Sequence, residues 1–99
     1  MAAGDVFRGS GSIAAGSFLD IRPSAGEKAI VSYAFANGPL KAQLWWTDGT
    51  NSLLIVDNQW QGENLVFRGE GFPVDNDAYL RVKNMESTAQ LFGYAGIKT

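Results

Sequence analysis

Residues 40–57 read LKAQLWWTDGTNSLLIVD. In the first half, Leu40, Ala42, Leu44 and Trp46 fall on one side of an extended chain, and Lys41, Gln43 and Trp45 on the other. Successive side chains of a strand point to opposite faces, so this alternation marks a half-buried strand. Asp48-Gly49 follows, the dipeptide that accepts positive φ in a tight hairpin turn. Ser52–Asp57 is then apolar on both sides, as a central or doubly covered strand would be. A hairpin of two such strands points to an all-β antiparallel class.

Outward from this hairpin, short apolar runs alternate with turn signals about every 8 to 12 residues, the spacing of a sandwich or barrel. Ser17–Arg22 alternates around Leu19 and Ile21 and stops at Pro23. Lys28–Ala36 carries Ala29, Val31, Tyr33 and Phe35 on one face, and Asn37-Gly38-Pro39 breaks it. Asn64–Arg68 is followed by Gly69-Glu70-Gly71, and Ala78–Asn84 buries Leu80 and Val82. Thr88–Ile97 closes the chain with Ala89, Leu91, Gly93, Ala95 and Ile97 in register. A helical stripe (Ala78, Val82, Met85, Ala89, Phe92) competes over the last stretch, with Asp75 or Asp77 as its cap. Tyr79, Val82 and Thr88 prefer strands, so the extended reading prevails. Loops this short leave no room for parallel crossovers. Residues 13–99 are therefore expected to form an antiparallel β-sandwich, jelly-roll-like, of about seven to eight short strands. Met1–Ser12, rich in Gly, Ala and Ser, reads as a flexible N-terminal arm outside that core.

Composition narrows the function. Leu, Ile, Val and Phe number 25 of 99 residues at a net charge of −2, too many for a disordered chain. There is no Cys and no His, which removes disulfides, thiolate metal sites and every nucleophile that relies on a histidine base. No apolar run reaches membrane-span length and no secretory leader is evident. A pI near 4.9 argues against nucleic acid as the partner. Asp75-Asn76-Asp77 fails as a calcium loop, because Leu80 stands where that loop needs glycine. Gly69-Glu70-Gly71 lacks the Lys-Ser/Thr of a phosphate loop. The expectation is a binder without cofactor or metal, not an enzyme.

Twelve aromatics are the remaining signal, three of them Trp. Alternation turns Trp46 inward and Trp45 outward beside Lys41 and Gln43. It also turns Phe18 out beside Asp20 and Arg22, Tyr79 out beside Arg81 and Lys83, and Phe92 with Tyr94 out beside Gln90. Trp60 sits in the polar loop Asn58–Gln61. On the arm, Phe7 is a large apolar group suited to a neighbour's pocket, with Arg8 as a hydrogen-bond donor beside it. Phe7, Arg8, Phe18, Trp45, Trp60, Tyr79, Phe92 and Tyr94 are thus the candidate contact residues. Aromatics serve protein interfaces and sugar stacking alike. A second layer over some of them would make them ordinary packing.

The run Gly16-Ser17-Phe18-Leu19-Asp20-Ile21-Arg22-Pro23-Ser24-Ala25-Gly26-Glu27 resembles the "x-I-x-P-x-x-G-E" opening of small structural proteins of tailed bacteriophages. Asn76–Asn84 resembles their "YLRxKN" strand, and Gly93-Tyr94-Ala95-Gly96-Ile97 their closing "GYxGI". The resemblance covers most of the chain after Ser10 and carries fold positions only, so it assigns no functional residue. It implies a virion component made in the host cytoplasm, most directly a capsid decoration (cement) protein. Such a subunit binds adjacent copies of the major capsid protein or other virion proteins, as a homotrimer at local three-fold positions. The alternative is a carbohydrate-binding module or receptor-binding tail domain, with Trp45, Trp60 and Tyr79 as stacking platforms.

Overall fold

The computed structural model describes residues 4–37, 41–58 and 65–99. Eight strands run through them: β1 (Val6–Ile13), β2 (Phe18–Ile21), β3 (Lys28–Ala36), β4 (Ala42–Thr47), β5 (Ser52–Asn58), β6 (Leu65–Asp75), β7 (Tyr79–Asn84) and β8 (Gln90–Lys98). The competing helix does not form, since Tyr79–Asn84 and Gln90–Lys98 are both extended. Two four-stranded sheets have the orders β1-β8-β3-β6 and β2-β7-β4-β5, and every neighbouring pair is antiparallel. The pairs β1–β8, β2–β7, β3–β6 and β4–β5 are nested, like one long hairpin rolled up on itself. That nesting is the jelly-roll arrangement of a β-sandwich.

The turns follow their residues. Gly49 takes φ 88° between β4 and β5. The Asp48 carboxylate there accepts the backbone N–H groups of Thr50 (2.9 Å) and Asn51 (2.7 Å). The acidic cluster after β6 closes a turn of the same kind. Asp75 accepts N–H groups from Asp77 and Ala78, each at 2.8 Å, while the Asn76 amide donates to the Pro23 carbonyl at 3.0 Å. Between the sheets lie Ile13, Ile21, Val31, Leu44, Leu80, Val82 and Phe92, all buried. At one end of the core Asn84 is completely enclosed. Its amide donates to the carbonyls of Ile13 and Thr88 at 2.9 Å each, and its oxygen accepts the Glu86 N–H at 2.8 Å.

Four expectations from the sequence are corrected. Val6–Ile13 is not an arm: it is strand β1, paired residue for residue from Val6↔Ile97 to Ile13↔Gln90. Phe7 and Ile13 point inward with Gly9 and Gly11 between them, an alternation that the missing glycine side chains conceal. The Tyr94 ring occupies the space where a Cβ at Gly9 would stand, so a glycine read as flexible is a packing requirement. In β3, a bulge between Val31 and Tyr33 inserts one residue and inverts the facing. Ala29, Val31, Ala34 and Ala36 are buried, whereas Ile30, Tyr33 and Phe35 point out. β8 has the opposite facing to that expected, with Phe92 inside and Leu91 and Ile97 outside. β5 is an edge strand, not a central one.

Candidate functional site

The two outer faces of the sandwich differ in kind. On the β2-β7-β4-β5 face, antiparallel register sets Asp20, Arg81, Trp45 and Leu54 in one row and Phe18, Lys83, Gln43 and Asp57 in the next. These side chains satisfy one another. Arg81 Nε donates to Asp20 at 2.7 Å, and its guanidinium lies 4.2 Å from the centre of the Phe18 ring. Gln43 donates to Asp57 at 3.3 Å and accepts the Trp45 indole N–H at 3.1 Å. Cross-strand ion pairs and hydrogen bonds of this sort make this the more polar of the two faces, although Phe18 and, on the edge strand β5, Leu53, Leu54 and Ile55 are also exposed.

The β1-β8-β3-β6 face is apolar. Val6, Ile97, Ile30 and Pro73 form a row across all four strands. The next row sets Arg8, Ala95 and Tyr33 side by side, and the next Ser10, Gly93 and Phe35. Val6, Ile30, Tyr33, Phe35, Leu91 and Ile97 are each between 38% and 58% exposed, six large apolar groups on one sheet face. Charge enters this face at Arg8 and, at the end of β3 and β6, at the paired Lys28 and Asp75, and the register sets Arg68 of β6 opposite Tyr33. The Phe35 ring lies over Gly93, where any Cβ would collide with it. Beside that ring, Ser10, Asn37, Leu91 and Gly93 line a shallow depression of about 210 Å³. Large side chains on β3 therefore stand next to a trough floored by small ones on β8 and β1. An apolar surface of this kind is uncommon on an isolated soluble domain, which makes this face the candidate contact region.

The candidate contact residues scatter when placed on this frame. Arg8 is on the apolar face. Phe18 and Trp45 share the opposite, polar face. Phe7 is buried, its ring centre 5.2 Å from that of half-buried Tyr94, so neither is free to anchor a neighbour. Burial also pushes the Tyr94 hydroxyl pKa up. Phe92 is core. Tyr79 does stand on the outer side of β7, but the Arg22 guanidinium covers its ring at 4.5 Å and leaves it buried. Trp60 lies outside the described residues.

Reading the alternation turned Tyr33, Phe35, Leu91 and Ile97 inward, because it could not see the bulge in β3 or the facing of β8. Val6 was missed with the arm, and Ile30, outward by alternation between Ala29 and Val31, was not singled out. The signal available for β8 was Gly96: a Cβ there would run into the Ile30 carbonyl, so that position faces a neighbouring strand too closely for a side chain. Comparison of the chain with protein-family models and with curated proteins finds no match.

Proposed function

We propose that this protein is a non-enzymatic virion structural subunit, a capsid decoration protein that docks on adjacent capsid subunits through its β1-β8-β3-β6 face. The observation that carries the reading is the set of six exposed large apolar side chains on that face. The opposite sheet also exposes Phe18, Leu53, Leu54 and Ile55, but mixes them with the Arg81–Asp20 ion pair and the Gln43 hydrogen bonds. Leaving six large apolar side chains in water is unfavourable, at roughly 25 cal/mol for each Å² of apolar surface that a partner would cover. The size also fits. Four strands at ~4.8 Å spacing and eight residues at ~3.3 Å rise give a flat footprint of about 500 Å². That is one partner's share of the smallest specific interface, about 1,000 Å² in total. Many weak copies on one particle reinforce each other where each bridges two subunits. The resemblance to phage structural proteins supplies the setting, including the homotrimer at local three-fold positions.

The alternative with three stacking platforms is weakened, since Tyr79 is buried beneath Arg22 and Trp60 lies outside the described residues, which leaves Trp45 of the three on an outer face. The test of docking is Phe35→Asp together with Leu91→Asp, each scored by mass-spectrometric copy number on purified particles. Both side chains are exposed in the free domain, so the variants should fold and melt near the parent temperature. Copy number should fall by tenfold or more, on the order of one lost interface anchor each. Unchanged copy number with intact folding would overturn the reading.

A further inference from the structure

On the opposite face, Phe18, Trp45, Ser52, Arg81 and Lys83 line a groove of about 280 Å³. We infer that this groove binds one carboxylated sugar ring of an acidic polysaccharide, with Trp45 as the stacking wall and Arg81 and Lys83 as the carboxylate partners. The inference needs the face that docking leaves free, so it stands or falls apart from the decoration reading.

The geometry of the cations comes first. Arg81 is fixed twice, through Nε to Asp20 at 2.7 Å and through its guanidinium on the Phe18 ring at 4.2 Å. Its terminal nitrogens keep their donors, and a guanidinium held in place loses little entropy when it binds a carboxylate. The Lys83 ammonium sits 5.7 Å from the same ring centre and has no carboxylate partner among the described residues. The groove's own lining holds two cations and no carboxylate: Asp20 is engaged by Arg81 at its edge, and Asp57, at the far end of the Lys83 row, is held by Gln43. An anion is the complement.

The rest of the groove selects the kind of anion. Trp45 stands directly opposite Arg81 across the β4–β7 pair, so the two side chains rise from neighbouring positions about 5 Å apart, and both line the groove. Its indole N–H is already spent on Gln43 at 3.1 Å, which leaves the ring to offer an apolar surface. A sugar acid presents both matching parts, a C–H face and a carboxylate, within one ring. An extended peptide is disfavoured, because β7 and β4 lie inside the sheet with their backbone groups paired on both sides. Peptides held in extended form rely on such groups being free. A phosphate polymer meets only two cations here, too few for counterion-driven binding. The volume lies just below the range of small-molecule clefts, which suits one unit of a chain that runs on beyond the groove.

The experiment is a titration of the ¹⁵N-labelled domain with tri-galacturonate, following the Trp45 indole resonance, with neutral dextran and dextran sulfate as controls. Tri-galacturonate should shift that resonance at millimolar concentration, and dextran should not. Lys83→Gln should weaken binding about tenfold, the loss of one charge-assisted hydrogen bond. Trp45→Ala should weaken it at least as much while leaving the folded spectrum otherwise intact. Absence of a shift would overturn the inference. So would equal binding of dextran sulfate by the parent and Trp45→Ala, which would reduce the groove to a patch of charge. Binding of poly-glutamate but not of tri-galacturonate would overturn it too, in favour of an acidic protein segment.

Discussion

Phe7→Ala separates a strand from an arm. In the folded chain the Phe7 ring is 7% exposed and packs against Tyr94 at 5.2 Å between centroids. Emptying a buried phenylalanine site costs about 3–5 kcal/mol. Phe7 belongs to an edge strand beside a half-buried tyrosine that can relax into the gap, so the low end applies, about 3 kcal/mol. For a domain of this length, each kcal/mol moves the melting temperature by roughly 4–8 °C, giving a drop of about 12–24 °C. Urea unfolding followed by tryptophan fluorescence should show the midpoint falling with the slope unchanged, because the same surface is still exposed on unfolding. Val6→Ala, one residue away on the outer face and 58% exposed, should stay within about 0.5 kcal/mol of the parent. If Phe7→Ala melted like the parent, β1 would not be held in the free protein and Val6–Ile13 would have to be treated as an arm after all.

Gly96→Ala should destabilise by about 3 kcal/mol in the same urea assay, since the new methyl would meet the backbone carbonyl of Ile30 and backbone cannot step aside as a side chain can. Asn84→Ala removes three hydrogen bonds from a fully enclosed site and strands the partners left behind, a loss of about 2–4 kcal/mol. The carboxyl of Asp48, held by the N–H groups of Asn51 and Thr50, and that of Asp75, held by those of Ala78 and Asp77, both titrate below their ordinary value of 3.8. Depressed pKa values stabilise the fold above the unfolded value and lose that contribution as pH falls through the folded one. The urea midpoint should therefore decline below about pH 4, and the Asp48→Asn, Asp75→Asn double variant should decline less steeply.

The class and most strand positions were legible because hydrophobic alternation and turn residues act locally. LKAQLWW gave its facing directly: Ala42 and Leu44 are buried in the core and Trp46 packs against it, while Trp45 turns out. Facing was lost where it depends on a partner strand. β3 reads as one alternating run, yet the extra residue at its bulge sends Tyr33 and Phe35 to the side opposite Val31. In β8, apolar residues occupy both parities (Leu91 and Ile97, Phe92 and Tyr94), so alternation alone cannot choose. The choice is made by Gly96, which must face Ile30, and by Phe92, which fills the core. Tyr79 looked exposed because Arg22, distant in sequence, is what covers it.

The same two errors explain why the candidate contact surface moved. With β8 reversed and β3 unbulged, Leu91, Ile97, Tyr33 and Phe35 would add to the core and the sheet would present a polar exterior. The actual facing does the opposite, and it does so on adjacent strands at the centre of one sheet. Small inner residues make this possible: Ala29, Ala34 and Ala36 of β3 and Gly96 of β8 leave room for Phe92 and for the bulky neighbours opposite. In β3 itself the inner face carries three alanines beside Val31 while the outer face carries Ile30, Tyr33 and Phe35, so this strand has its largest apolar groups on the side away from the core. That inversion is inexpensive in a free monomer only because the buried Phe92, Leu44, Leu80 and Ile21 already fill the core. These outer groups are the ones that the proposed docking would cover.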